Sequence, residues 1–181
     1  MKKQAWLWIS LAVGLVVLIG AAAILYPMLS KEVQTPDAEQ SAQTIPYVDF
    51  TAVDAEGNEV SLSDYIGKPI VLNFWASWCP PCKSEMPDFD AVAKELDGEV
   101  VFLMVDMVDG MQETKEKGER FIKEQGFSFP VLYDVNQDAA MKYGVSSLPT
   151  TYFINKDGNI VTGAMGAISK TNLLRGIEMI Q

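Results

Sequence analysis

Cys79 and Cys82 are the only cysteines in the chain, and they stand two residues apart in Trp78-Cys79-Pro80-Pro81-Cys82. A cross-link closing so short a loop removes little entropy from the unfolded chain, so a structural staple explains the pair poorly. Reversible dithiol–disulfide exchange explains it better. The apolar run from Ile70 to Trp75 reads as a buried strand, and Lys83-Ser84-Glu85-Met86 opens a stretch with helical spacing. A C-x-x-C pair at such a strand-to-helix junction is placed for redox chemistry. Cys79 then falls at a helix N-terminus, where unpaired N–H groups and the helix dipole favour a thiolate. It is read as the attacking sulfur. Cys82, about one turn on, is read as the sulfur that resolves the mixed disulfide.

The neighbours modulate that chemistry. Pro80 and Pro81 remove two N–H donors and stiffen the loop. This implies a moderately lowered thiol pKa and a reducing rather than strongly oxidising pair. Glu85, three residues after Cys82, shares its helix face and is a candidate to take the proton of Cys82 during resolution. Trp78 is expected on the exposed rim of the nucleophile, whereas Phe74 and Trp75 belong to the core. The chain has no histidine, which removes Cys-His and Ser-His hydrolytic centres and histidine-bearing metal centres.

The elements that must position these residues follow from the pattern. Segments 50–53 and 60–62 flank the turn-forming Asp54-Ala55-Glu56-Gly57-Asn58 and read as a hairpin. A helix is expected from about Pro81 to Leu96, with apolar positions at Met86, Phe89, Val92, Ala93 and Leu96 and a kink at Pro87. Val100–Val105 is a second buried strand, Glu113–Gln125 a charged helix anchored by Phe121 and Ile122, and Phe129–Tyr133 a short strand. Asp138 is expected to cap a short helix reaching Tyr143. A second hairpin spans Thr150–Ile154 and Asn159–Thr162, and Ser169 caps a last helix through Ile180. This alternation implies an α/β domain with a mixed central sheet and helices on both faces.

The N-terminus is different in kind. Ala5 to Tyr26 is an almost unbroken apolar run of 22 residues, long enough to cross roughly 30 Å of hydrocarbon as one transmembrane helix. Its length favours an uncleaved anchor over a signal peptide, although Ala21-Ala22-Ala23 supplies a candidate cleavage site. Lys2 and Lys3 should remain in the cytoplasm by the positive-inside rule, placing the rest of the chain outside. Residues 27–45, rich in Pro, Ser, Gln and Thr, read as a linker, and 46–181 as one domain. Beyond Lys31 the chain carries 11 basic and 24 acidic residues, a poor composition for binding nucleic acid.

The globular part resembles membrane-anchored thioredoxin-like proteins of the TlpA and ResA type. The resemblance rests on Asn73-Phe74-Trp75-Ala76-Ser77-Trp78-Cys79-Pro80-Pro81-Cys82, on Lys83-Ser84-Glu85-Met86-Pro87, and on Gly144-Val145-Ser146-Ser147-Leu148-Pro149-Thr150. An added strand and helix between 100 and 128 suit that branch as a central insertion. The resemblance implies a thioredoxin-like fold, a redox-active Cys79–Cys82 disulfide and an acid at Glu85 tuning the thiols. It also implies a cis Leu148–Pro149 bond, with Trp78, Pro80, Pro81, Leu148 and Pro149 contacting substrate. Exported proteins bearing disulfides, apocytochrome c among them, would be the clients, and a membrane thiol carrier the electron donor. No cofactor or metal is called for. Asn73 departs from thioredoxin, which has a buried aspartate there, so its proton relay does not transfer directly.

Two rivals remain. A peroxiredoxin-like peroxidase would need proline at 72 and threonine at 76 for its P-x-x-x-T-x-x-C pattern, where this chain has Leu72 and Ala76. A metal chaperone would use Met104, Met107 and Met111 for soft Cu(I), or two thiolates completed into a zinc site by a second chain. Core filling is the more ordinary use of methionine.

Overall fold

A computed structural model of the chain describes residues 45–181. The anchor expected over 5–26 and the linker up to 44 lie outside the described residues. Among the described residues, no helix is long and apolar enough to cross a membrane.

One mixed sheet of eight strands organises the domain: β1 (Ile45–Pro46), β2 (Thr51–Val53), β3 (Glu59–Ser61), β4 (Ile70–Trp75), β5 (Val101–Asp106), β6 (Val131–Tyr133), β7 (Thr150–Ile154) and β8 (Asn159–Met165). Their order is β1-β8-β7-β4-β5-β6-β2-β3. β4, β5 and β6 run parallel, while β7 and β8 return antiparallel beside β4. β4 is buried on both faces along its whole length, which is why its sequence lacks polar alternation. Among the described residues there are four α-helices, in chain order α1 (Pro80–Glu95), α2 (Lys115–Gln125), α3 (Asp138–Lys142) and α4 (Lys170–Glu178).

The pleat of β4 divides the core in two. Val71 and Trp75 lie in the layer that holds Cys79, Cys82, Met86, Phe89 and Leu173. Ile70, Leu72 and Phe74 lie in the opposite layer with Phe50, Leu62 and Tyr143. In the first layer α4 approaches β7 through Gly176, where a methyl group would sit 2.3 Å from the Phe153 ring.

Several expected boundaries move for local reasons. Ile45, assigned to the linker, pairs with Ile160 in β1. α1 continues through Pro87. α2 begins two residues later than expected, capped by the Thr114 side chain, because Glu113 turns inward and is wholly buried. Asp138 is not a cap. Gln137 holds the N-cap position with φ 57°, and the buried Asp134 carboxylate accepts from the N–H groups of Ala139 and Ala140 at 3.2 and 2.8 Å. Asp138 instead accepts from Thr51 N–H at 2.9 Å, tying α3 to β2. Phe129 and Pro130 precede β6 rather than belong to it, and β8 runs on to Met165. Met104 and Met107 contribute to opposite core layers and Met111 is 84% exposed, so the three sulfurs share no face.

Candidate active site

The parallel strands direct the site to the C-terminal end of β4, where the chain turns from Trp75 through Ala76-Ser77-Trp78 into α1. Cys79 is the N-cap of that helix, and Pro80 and Pro81 occupy its first two positions. Prolines are tolerated there because those N–H groups have no intrahelical acceptor. The consequence is electrostatic. The first available amide is that of Cys82, which donates to Cys79 Sγ at 3.2 Å. Cys79 and Cys82 are joined in a disulfide with their Cα atoms 5.4 Å apart. Cys79 is 2% exposed and Cys82 is fully covered. Pro80 and Pro81 are exposed at the surface, and Trp78 is 43% exposed beside Cys79.

Glu85 lies in the interior of the same helix, 2% exposed. Its Oε1 accepts from Asn73 Nδ2 at 2.9 Å, and its Oε2 from the backbone N–H of Ile168 at 2.8 Å. Burial pushes its pKa up to about 7, against the opposing pull of those two donors. Asn73 also donates to Thr151 Oγ1 at 2.9 Å, so β4, β7 and α1 meet at one amide. Asn73 Oδ1 has no partner among the described residues.

The Leu148–Pro149 bond is cis. Leu148 packs against the core layer that contains both cysteines, and its N–H and C=O have no hydrogen-bond partner among the described residues. Gly166 N–H donates to the Pro149 carbonyl at 2.8 Å, fixing this loop to the end of β8. The structure therefore places Cys79, Cys82 and Leu148 in one core layer, with Glu85 buried on the same helix as Cys82, Pro149 next to Leu148, and Trp78, Pro80 and Pro81 exposed.

Sequence reasoning missed two residues here. Glu113 is wholly buried and binds the loop before the nucleophile: Ser77 donates its N–H to Oε2 at 2.8 Å and its hydroxyl to the same oxygen at 2.7 Å. Asp106, at the end of β5, is wholly buried as well. The only available signal was an acid closing an otherwise apolar strand.

A profile of the AhpC/TSA family matches residues 43–162. The thiol–disulfide oxidoreductase ResA of Geobacillus kaustophilus (strain HTA426) is 34% identical over 184 residues, covering 100% of this chain and 99% of the relative. The chain belongs to the AhpC/TSA family, on its ResA/TlpA-type thiol–disulfide oxidoreductase branch. Solved structures agree. The exposed lipoprotein thioredoxin of Streptococcus pneumoniae strain TIGR4 is 34% identical with a TM-score of 0.64, over 72% of this chain and 98% of that one. StoA from Bacillus subtilis is 28% identical with a TM-score of 0.62, over 74% and 98%. The domain is thus a thioredoxin-like enzyme that exchanges disulfides with protein substrates.

Proposed function

We propose that this oxidoreductase works outside the cytoplasm, held by residues 5–26 as a single-pass anchor, and reduces disulfides in exported proteins, apocytochrome c cysteines among them. The observation that carries the reductive direction is the cap of α1. With prolines at the first two positions, one amide reaches Cys79 Sγ. A thiolate with few donors is weakly stabilised, and a weakly stabilised dithiol is a better reductant. Lys2 and Lys3 before the apolar run support the orientation, as does the pneumococcal relative, an exposed lipoprotein.

The cycle conserves two electrons. The Cys79 thiolate attacks one sulfur of the client disulfide, and the other client sulfur leaves as a thiolate that takes up a proton. Cys82 loses its proton to the Glu85 carboxylate and attacks the Cys79 sulfur. The second client thiolate departs and the Cys79–Cys82 disulfide forms. A membrane thiol carrier returns the electron pair and is itself oxidised. During attack, Trp78, Pro80 and Pro81 form one wall. The free N–H and C=O of Leu148, set by cis Pro149, pair with the client backbone as an added strand.

The test uses the full chain with Cys82→Ala. Cells making it should accumulate a reductant-sensitive adduct at Cys79 with exported proteins, and the purified variant should form one with an oxidised C-x-x-C-H peptide. A wild-type reduction potential near the oxidising extreme of about −120 mV, or adducts formed only with cytoplasmic proteins, would overturn the reading.

A further inference from the structure

The chain passes from β4 into α1 through Ala76, Ser77, Trp78 and Cys79. These four residues form a tight turn, closed by the Cys79 N–H on the Ala76 carbonyl at 3.1 Å. That closure satisfies the last N–H of the turn and leaves the N–H of Ser77, its second residue, to find an acceptor elsewhere. It finds Glu113, 36 residues away in sequence. Ser77 N–H donates to Oε2 at 2.8 Å, and the Ser77 hydroxyl lies 2.7 Å from Oε2 and 2.9 Å from Oε1. Every hydrogen bond of that carboxyl among the described residues goes to Ser77.

Glu113 is itself held firmly. Its N–H donates to Asp109 Oδ1 at 2.9 Å, and its carbonyl accepts from the Asp109 and Gly110 amides at 3.2 and 3.0 Å. Lys117 Nζ donates to the Met111 and Gln112 carbonyls of the same loop at 3.0 and 2.7 Å. The helix that follows does not use the carboxyl, because the Thr114 side chain caps α2. A wholly buried side chain on a fixed loop is thus given over to one residue of the turn that carries Cys79.

We propose that Glu113 is a positioning residue for the resolving step: by clamping Ser77 it holds the Cys79 sulfur where Cys82 can reach it. Cys82 lies within α1, whereas Cys79 precedes the first helical residue, so the turn fixes Cys79 from the N-terminal side. When Cys79 carries a client, the Cys82 sulfur must meet it in line, and a misplacement of about 1 Å can slow such a step by about a hundredfold. The Cys82 sulfur bonds to the Cys79 sulfur, the bond from Cys79 to the client breaks, and the client leaves as a thiolate. No bond is made or broken at Glu113. Loosening the clamp slows that closure and makes the disulfide less favourable relative to the dithiol, which raises the reduction potential. The first attack is different. There the client sulfur arrives from solvent, so the step tolerates a looser turn.

The inference rests on Cys79 as the attacking sulfur, and its first measurement is independent of thiol chemistry. In the oxidised full chain in detergent micelles, hydrogen exchange should find the Ser77 amide protected in the wild type and severalfold faster in Glu113→Ala. The Met107 amide, bonded to the Trp75 carbonyl at 2.9 Å, should be unchanged. In the reduced protein, mixing with an oxidised peptide and quenching with acid separates the two steps. Glu113→Ala should prolong the Cys79 mixed disulfide about tenfold. Adduct formation, read in a Cys82→Ala background, should keep its rate. The reduction potential should rise by about 30 mV for a tenfold change. Glu113→Gln, which keeps an oxygen for the Ser77 N–H, should recover most of both effects. A packing role alone would slow the two steps alike, and that result, or a Ser77 amide whose exchange ignores Glu113→Ala, would overturn the proposal. Should Glu113→Ala not fold, Ser77→Ala decides: it removes only the hydroxyl, and an unaltered mixed-disulfide lifetime refutes the clamp. A client trapped by Cys79→Ala and not by Cys82→Ala would sink the assignment of the attacking sulfur and the proposal with it, whereas the Ser77 exchange can fail alone.

Discussion

At the scale of single residues, Glu85 shows what spacing reveals and what it conceals. Its three-residue offset from Cys82 marks it as a neighbour of the thiols. Its environment comes from Asn73, 12 residues earlier, and from Ile168, 83 residues later. No local pattern joins those positions. Glu85→Gln tests the environment. The Gln keeps one acceptor oxygen and turns an NH2 group toward the other donor, a pH-independent cost of about 1–3 kcal/mol. The ionisation effect lies on top of that. Because the folded pKa is raised to about 7, the acid's contribution is complete below the unfolded value near 4.5 and is lost as pH rises through about 7. The wild type should lose up to about 1.4 kcal/mol per pH unit in that window, and the variant should not. Urea unfolding at pH 5 and pH 8 should therefore show the stability gap narrowing. In the reaction, the variant should prolong the Cys79 mixed disulfide about a hundredfold, as loss of a general base does. A pH-independent gap together with an unchanged mixed-disulfide lifetime would return Glu85 to a packing role.

At the scale of elements, α1 was legible almost residue by residue, because apolar spacing, a Pro-Pro start and a strand before it all agree. α2 was less so. A charged stretch beginning at Glu113 looks like a solvated helix from the first residue, and nothing local distinguishes Glu113, buried on Ser77, from Glu116 on the surface. The short α3 is capped by Asp134 across a left-handed Gln137, a geometry that residue preferences alone do not select. The cap of α1 carries its own test. Pro81→Ala restores an N–H at the second helical position, within reach of the cap sulfur. A hydrogen bond to a thiolate stabilises the reduced form by roughly 1.5–3 kcal/mol, so the reduction potential should rise by about 30 mV or more toward the oxidising side. Equilibration against a glutathione couple measures it. A potential that stays put or falls would show that proline count does not set the redox poise.

At the scale of the whole molecule, the two core layers meet the sheet with little slack. The fold class was readable because strand and helix periods alternate along the chain. The sheet order was not, since β2 and β3 cross to the far edge beside β6 through a pairing that only tertiary packing specifies. Gly176→Ala should drive a methyl group into the Phe153 ring and cost about 1–3 kcal/mol, read as a lower midpoint in urea unfolding. The titrating groups act on the molecule together. Glu85, Asp106 and Asp134 are buried acids with raised pKa values, the first to about 7 and the second to about 9. Each contributes stability that is lost as pH climbs. Asp54, Asp109 and Asp138 are solvent-accessible acids with lowered values, chiefly through bonds from Asn58, from the Glu113 and Met111 amides, and from Lys142. Each contributes stability that is lost as pH falls, in a screened environment where the effect is small. The buried set therefore dominates, and the chain's net charge of −10 adds self-repulsion as the remaining protons leave. The melting temperature should be highest in mildly acidic buffer and decline steadily from about pH 5 to pH 9. Glu85→Gln should flatten that decline below about pH 7, and Asp106→Asn should flatten it across the whole range up to about pH 9. A stability maximum at neutral or alkaline pH, unmoved by either substitution, would mean that neither acid keeps its proton inside the fold.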